Sequence, residues 1–245
     1  MSVGMMQKTI FYAMMALAVF ITASCTVPGQ VRAQPSVLIL SSTQSQEPMQ
    51  YVDEVTTDLK QAGYSVTFMS DSNISLNEIT TLLDQYDIFI WRTSTYEIGN
   101  ITYWYLGRPA NETALAAYGT SPTRSVDVSN GMVAVSSDFF TINYGPRSLG
   151  HVKLAILSAS MTITLAQDLI AAGVGTTIDF YNTVVAPSTE FDYITWSLIG
   201  YLTSGNSVSE SVTKTLYYFQ YLSSLDPNYV PPISFLGNGN LQIIG

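Results

Sequence analysis

Short apolar runs alternate along the chain with segments in which apolar residues recur at helical spacing. The run at residues 36–41 predicts a buried strand, and residues 49–62 predict a helix that ends before Gly63. The same alternation continues downstream. It predicts strands at residues 64–69, 87–91, 152–157 and 176–180, and helices at residues 75–85, 163–172, 194–202 and 208–222. Strands that alternate with helices are typical of a mainly parallel sheet with helices on both faces, so we predict an α/β fold.

The alternation is interrupted at residues 92–150, where Gly, Pro, Asn and Thr are frequent. Within this region, residues 131–135 and 139–144 are spaced as the two strands of a hairpin. Residues 234–244 predict a last strand, broken by two glycines. Ligands of parallel sheets bind beyond the carboxyl ends of the strands, so a site is expected directly after the predicted strands.

The beginning of the chain has the composition of an export segment. Lys8 is the only charged residue before an uncharged run at residues 9–31, and small residues follow at a peptidase site. We therefore predict a signal peptide at residues 1–33 and one domain at residues 34–245. Two alternatives stay open, because the run is long enough to remain as a membrane anchor and because Cys25 lies in a loosely lipoprotein-like context.

Composition narrows the classes of partner. Apolar residues make up 47% of the chain and charged residues only 11%, which is the opposite of a disordered chain. The formal charge is −9 and there is no basic stripe, which argues against nucleic acid as a partner. The single cysteine, Cys25, lies in the leader, so a cleaved body has no disulfide, cysteine metal site or thiol nucleophile.

Three glycosylation sequons begin at Asn73, Asn100 and Asn111. Together with the leader they favour an extracytoplasmic glycoprotein that is secreted or attached to the cell surface. Contact with a membrane is then expected only through the N-terminal segment, if that segment is not removed.

Four stretches of the body carry a family pattern in a fixed order. They are Tyr-Asp-Ile-Phe-Ile-Trp-Arg-Thr-Ser-Thr at 86–95, Leu-Ala-Ile-Leu-Ser-Ala-Ser-Met-Thr at 154–162, Leu-Ile-Ala-Ala-Gly-Val-Gly at 169–175 and Phe-Leu-Gly-Asn-Gly-Asn-Leu-Gln-Ile at 235–243. They resemble the caspase-like peptidase fold, in particular its CHAT and gingipain-type branches. The first is similar to the strand that leads into the family's His-Gly, the second to the strand that ends in Ser-Ala-Cys, the third to its helix-Gly-Ala-strand segment, and the fourth to the C-terminal Gly-Asp-Pro stretch of gingipain-like domains.

The departures from this family decide the expected function. By the resemblance, Ser94 stands at the position of the catalytic histidine and Ser160 at that of the catalytic cysteine, so both members of the dyad are replaced. A serine nucleophile needs a base within hydrogen-bond reach. The one histidine, His151, precedes the strand that leads to Ser160, and an extended strand of that length separates the two by about 25–30 Å.

The resemblance places a binding cleft beside these two positions. The candidates for ligand contact there are Arg92, Thr95, Tyr96 and Asp179. Tyr96 begins an aromatic-rich segment that either holds a peptide or sugar or packs onto the sheet, and we favour packing. The aromatic run at residues 217–221 is interpreted as core and helix flank.

Three acidic residues, Asp179, Glu190 and Asp192, follow or flank one predicted strand. Carboxylates near a cleft can bind calcium, but their spacing is not that of an EF-hand, and we favour solvated loop acids. His151 has no His or Cys companion. The sequence therefore predicts no metal and no cofactor.

We thus expect a pseudopeptidase: an exported caspase-like domain that binds a peptide, a partner protein or a glycan without catalysis. One alternative is a hydrolase that uses Ser160 with an unrecognised base. Another is a structural component of the cell envelope.

Overall fold

The structure is a computed structural model, and it describes residues 34–42, 50–70, 73–109, 125–181, 188–222 and 233–244. Gln34–Gly245 forms one compact unit. The predicted leader with Cys25 and the sequon at Asn111 lie outside the described residues. In the part that is described, no helix combines the length and the apolar character that crossing a bilayer requires.

The described elements alternate as the sequence predicts. In chain order they are β1 (Ser36–Ser42), α1 (Gln50–Gln61), β2 (Ser65–Ser70), α2 (Leu76–Leu82, followed by a 3-10 turn at Leu83–Gln85), β3 (Ile88–Thr93), β4 (Thr95–Ile98), β5 (Ile101–Pro109), β6 (Val126–Ser129), β7 (Met132–Ser136), α3 (Ser137–Asn143), β8 (Leu154–Ser158), α4 (Ile163–Ala172), β9 (Thr176–Phe180), α5 (Ser188–Thr203), α6 (Val208–Leu222) and β10 (Ile233–Gly237).

Six of these strands form the central sheet, in the order β2-β1-β3-β8-β9-β10. All neighbours are parallel except β10, which runs antiparallel to β9. The register is in phase across the sheet, with Ile39 of β1 opposite Phe68 of β2 and Ile90 of β3. The direction of the strand order reverses between β1 and β3, which is where a parallel sheet opens a crevice at its carboxyl edge.

Helices cover both faces of this sheet, which confirms the predicted α/β fold. Successive side chains of a strand point to opposite faces. Val37 and Ile39 belong to a core cluster closed by α1, α5 and α6, whereas Leu38 and Leu40 belong to a second one closed by α2, α3, α4 and strands β5 to β7.

Residues 92–150 hold a second sheet that the sequence did not predict. It is antiparallel, with the order β4-β5-β7-β6. The predicted pairing of residues 131–135 with 139–144 is wrong, because the second stretch forms α3. Phe139 and Phe140 are adjacent and both fully buried in one core cluster, which a helix permits and a strand on one face of a sheet does not.

The last predicted strand is shorter than residues 234–244. β10 ends at Gly237, which has a φ of +99°. A Cβ there would lie 2.4 Å from the carbonyl oxygen of Gly175, so only glycine fits this turn. Beyond it, Gln242 forms an isolated β-bridge with Ser207, and the amides of Val208 and Ser209 donate to the carbonyls of Leu241 and Gly239.

Candidate functional site

At the carboxyl edge of the central sheet, a residue next to one of the two positions that the resemblance singles out contacts the other. Ser160 lies in the turn after β8, and Ser94 lies between β3 and β4. Thr95, the neighbour of Ser94, places its Oγ1 2.7 Å from Ser160 Oγ. We call the contact of residues 94–95 with Ser160 the Ser160 junction. The two side chains that meet there each contribute a hydroxyl group.

The turn that carries Ser160 is fixed to the neighbouring strand. The Thr162 amide donates to the carbonyl of Phe180 at 3.0 Å, and the Phe180 amide donates to Thr162 Oγ1 at 2.8 Å. Met161 has a φ of +58°, a conformation that non-glycine residues rarely adopt. Two hydrogen bonds to the end of β9 hold this strained turn in place, and Ser160 is only 7% exposed.

Among the described residues, no base is hydrogen-bonded to the Ser160 hydroxyl. In the described part of the chain, its hydrogen-bond partner is the Thr95 hydroxyl, which neither accepts a proton at neutral pH nor carries charge. His151 is exposed in the loop before β8, at the opposite end of that strand. The arrangement lacks the nucleophile–base contact that acyl transfer requires.

Arg92 does not line an open cleft, contrary to the prediction. It points into the face covered by α1 and α5 and is 4% exposed. Its Nε and Nη2 donate to the two carboxylate oxygens of Asp192 at 2.6 and 2.7 Å, and Nη1 donates to Ser41 Oγ at 3.3 Å. A bidentate pair of this kind is charge-neutral and geometrically fixed.

A buried polar group surrounds this ion pair. Tyr51 of α1 places its ring 5.7 Å from the guanidinium carbon of Arg92. Burial and the nearby Asp192 charge raise the pKa of Tyr51 above its usual value, against the opposing effect of Arg92. We call the set the Arg92 cluster: Ser41, Tyr51, Arg92, Ser158, Asp192 and Thr195. The Thr195 hydroxyl donates to Ser158 Oγ at 3.0 Å, so the cluster joins α1 and α5 to three strands.

Asp179 lies on the opposite face of the sheet and is fully buried. Its Oδ2 accepts a hydrogen bond from Ser234 at 2.9 Å, and no described residue donates a hydrogen bond to its Oδ1. Burial raises the pKa of this carboxyl, and the Ser234 bond opposes the rise. Asp179 is thus a β9–β10 contact rather than a cleft residue.

The three acids considered for calcium are not gathered into a site. Asp192 pairs with Arg92, and Asp179 faces the other side of the sheet. Among the described residues, no group of three His, Cys, Asp or Glu side chains is placed to hold a metal ion. The favoured interpretation, solvated loop acids, is also wrong for Asp179 and Asp192, since both are buried.

The aromatic side chains after β3 pack, as favoured, but they belong to strands β4 and β5 of the second sheet and not to a loop. Tyr96 stacks on Tyr103 with ring centroids 5.4 Å apart, and its hydroxyl donates to Asp127 Oδ2 at 2.9 Å. Burial first, and Asp127 second, raise the pKa of Tyr96. On the other face of β5, Trp104 is fully buried in the core.

Two of the predicted glycosylation sites are accessible. Asn73 is exposed just before α2, and Asn100 is exposed in the turn between β4 and β5. Accessible side chains on loops are what a glycosylating enzyme requires.

Sequence reasoning missed a groove on the outer surface of the helices. It has a volume of about 540 Å³ and lies between α5 and α6. Its lining residues are Asp58, Tyr193, Trp196, Ser197, Gly200, Tyr218 and Phe219. The run at 217–221 was interpreted as core and helix flank, yet Tyr217 and Tyr221 are 68% and 79% exposed. The dense aromatic content of α6 was the available signal.

Comparison with known proteins yields little. No protein-family model matches the chain. No curated protein matches it either. Among solved structures, a flavodoxin of Streptococcus pneumonia TIGR4 matches at 11% identity and a TM-score of 0.33, over 64% of this chain and 95% of that one.

Proposed function

We propose that the chain is an extracytoplasmic, non-catalytic binding domain that resembles the caspase-like peptidases. The observation that carries the proposal is the junction of residues 94–95 with Ser160. These positions meet at the carboxyl edge of the sheet, as a nucleophile and its base would, but they bring only hydroxyl groups. General-base assistance contributes typically ~10²–10⁴-fold to such reactions, and among the described residues no base is hydrogen-bonded to Ser160 to supply it.

The strand beside this junction supports a peptide as the ligand. β4 is an edge strand of the second sheet, and in the described part of the chain only β5 pairs with it. An extended peptide can add to such an edge through main-chain hydrogen bonds. A peptide strand added to β4 would run past Thr95 and therefore past Ser160. This is the path that a substrate would take past the nucleophile of a caspase-like peptidase.

The extracytoplasmic location is proposed on the leader pattern and on the exposure of Asn73 and Asn100. Intact mass of the protein secreted by an expression host tests it. A product that begins near residue 34 supports the location, and a product that stays inside the cell with residues 1–33 contradicts it.

A second candidate is a hydrolase that uses Ser160, and one observation favours it. Ser160 lies in a strained strand-to-helix turn next to Met161, and strained turns of this type present nucleophiles in several hydrolases. A base would then have to come from a partner chain.

Incubation with a diverse peptide library separates the two candidates. The protein is expressed from the full chain, purified as the host processes it, and compared with Ser160→Ala. We expect no cleavage by either protein and retention of a subset of peptides by both. Cleavage that the variant loses would instead establish the hydrolase.

The affinities of two variants for the retained peptides test whether these peptides bind at the junction of residues 94–95 with Ser160. Ser94→Trp adds bulk to a half-buried position at the junction, and Ser148→Trp makes the same change in an exposed turn. We expect Ser94→Trp to weaken binding by about tenfold and Ser148→Trp to leave it unchanged. Equal affinities for the two variants would exclude the junction as the binding site.

A further inference from the structure

The helical layer over the central sheet exposes an unusual number of aromatic side chains. Tyr193, Trp196 and Tyr218 are 61%, 38% and 47% exposed, and they line the groove between α5 and α6. Contiguous exposed apolar surface on a folded protein marks a site of interaction more often than chance. The groove is partly open to solvent, so its occupant can extend beyond it, as a segment of a polypeptide does.

One wall of the groove is acidic. Asp58 of α1 lines it and accepts a hydrogen bond from Trp196 Nε1 at 3.2 Å, which fixes the indole beside the carboxylate. A second groove of about 450 Å³ adjoins it, shares Asp58 and Trp196, and adds Asp53 and Glu54. In the described part of the chain, none of these three carboxylates forms an ion pair with a cation.

Lys214, the lysine of α6, does not line either groove. Lys214 donates to Asn206 Oδ1 and lies 5.9 Å from the ring centroid of Tyr201. Lys214 and Tyr201 thus form a cation–π pair within the helical layer. Among the described residues that line the two grooves, none is a lysine or an arginine.

We propose that this groove binds a basic segment of a partner polypeptide, with arginine side chains stacked on Trp196 and its neighbours. Arginine satisfies both surfaces at once, because its guanidinium stacks on aromatic faces and pairs with carboxylates. A second copy of this chain is a poor occupant, since it carries a formal charge of −9. Anionic lipid is repelled by the same acidic wall.

The inference does not depend on the peptidase resemblance. The groove lies on the outer surface of the helices, whereas the Ser160 junction lies at the carboxyl edge of the sheet. Failure of either proposal leaves the other standing, and Ser94→Trp should not affect the groove.

Trp196 provides a direct readout. The chain has three tryptophans, and Trp91 and Trp104 are fully buried, so acrylamide quenching of fluorescence reports on Trp196. The probe is a ten-residue peptide of alternating arginine and leucine. Its control replaces each arginine with citrulline, which keeps the shape and removes the charge. We expect the arginine peptide to protect Trp196 from quenching and the citrulline peptide to bind at least about tenfold more weakly.

Two variants locate the binding. A Cβ at Gly200 would meet no atom within 4 Å, so Gly200→Leu introduces bulk into the groove, and Gly145→Leu, at a position where a Cβ is equally free, is the exposed control. Asp58→Asn keeps an oxygen for the indole and removes the charge, and Asp84→Asn is the control for charge at an exposed site. Circular dichroism checks that each variant folds.

We expect Gly200→Leu to weaken arginine-peptide binding by more than about tenfold and Asp58→Asn by about fivefold, while both controls stay within about twofold of the parent. Equal binding of the citrulline peptide, unchanged affinity in Gly200→Leu, or no protection of Trp196 at millimolar peptide would each overturn the proposal. So would stronger protection by phosphatidylcholine vesicles than by the peptide.

Discussion

At the scale of single residues, two acidic side chains are buried at positions where the sequence predicts exposure to solvent. Asp179 and Asp192 lie near the ends of elements, where acids are usually hydrated, yet both are buried. Their partners explain how this is tolerated. Asp192 is neutralised by Arg92, 100 residues away, and Asp179 meets Ser234 across the β9–β10 pair. No local pattern reveals such pairings, because they depend on strand order.

Asp179 should make stability depend on pH. Burial raises the pKa of its carboxyl in the folded state, while the unfolded value is near 3.8. Below pH 3.8 both states are protonated. As the pH rises toward the folded-state pKa, the unfolded state alone releases the proton, so the free energy of unfolding falls.

Urea unfolding of Asp179→Asn between pH 3.5 and 8 tests this expectation. Asparagine keeps an oxygen for Ser234 and cannot ionise, so we expect the variant to match the parent at the acidic end. At neutral pH it should be more stable than the parent by about 1–3 kcal/mol. If the free energy of unfolding of the parent instead rose with pH relative to that of the variant, burial would not raise the pKa of Asp179, and this expectation would be wrong.

At the scale of elements, the sequence predicts the central sheet well and the second sheet poorly. The strands of the central sheet are continuous apolar runs, because helices cover both of its faces. In the second sheet, β5 buries Trp104 on one face and Tyr103 on the other, so no polar alternation marks it as a strand. Pairing of β7 with β5 also spans a long connection that periodicity cannot detect.

At the carboxyl edge of the sheet, the sequence predicts which strand ends lie together but not the directions in which their side chains point. The resemblance brought Ser94 and Ser160 together, and Thr95 indeed meets Ser160. Arg92 lies one residue before the end of β3, and alternation along that strand turns it toward α5 rather than toward the edge. The groove on the helices escaped prediction because its acidic and aromatic walls come from three separate helices.

The Arg92 cluster should be essential for holding α5 on the sheet. Asp192→Asn leaves a buried guanidinium without its counter-charge, which costs about 3–5 kcal/mol. Chemical denaturation checks this value, with Asp84→Asn as the exposed control. The double variant Arg92→Met, Asp192→Leu removes both charges and should recover most of the loss. Equal stabilities of Asp192→Asn and the control would show that the pair contributes nothing.

At the scale of the whole molecule, the features divide between two surfaces. The carboxyl edge of the sheet carries the hydroxyl junction beside the open strand β4, and the outer surface of the helices carries the aromatic and acidic groove. Neither surface presents a paired nucleophile and base within the described residues. The acidic charge of the chain agrees with the basic partner that we propose for the groove.

Labelling with a fluorophosphonate, followed by measurement of the intact mass, tests directly whether Ser160 is an activated nucleophile. This reagent forms an adduct only with an activated serine, whatever the substrate. The protein, expressed from the full chain, is compared with Ser160→Ala. We expect no adduct on either protein, because the hydrogen-bond partner of Ser160 among the described residues is a hydroxyl and not a base. A single adduct on the parent that is absent from Ser160→Ala would show an activated nucleophile and contradict the non-catalytic assignment.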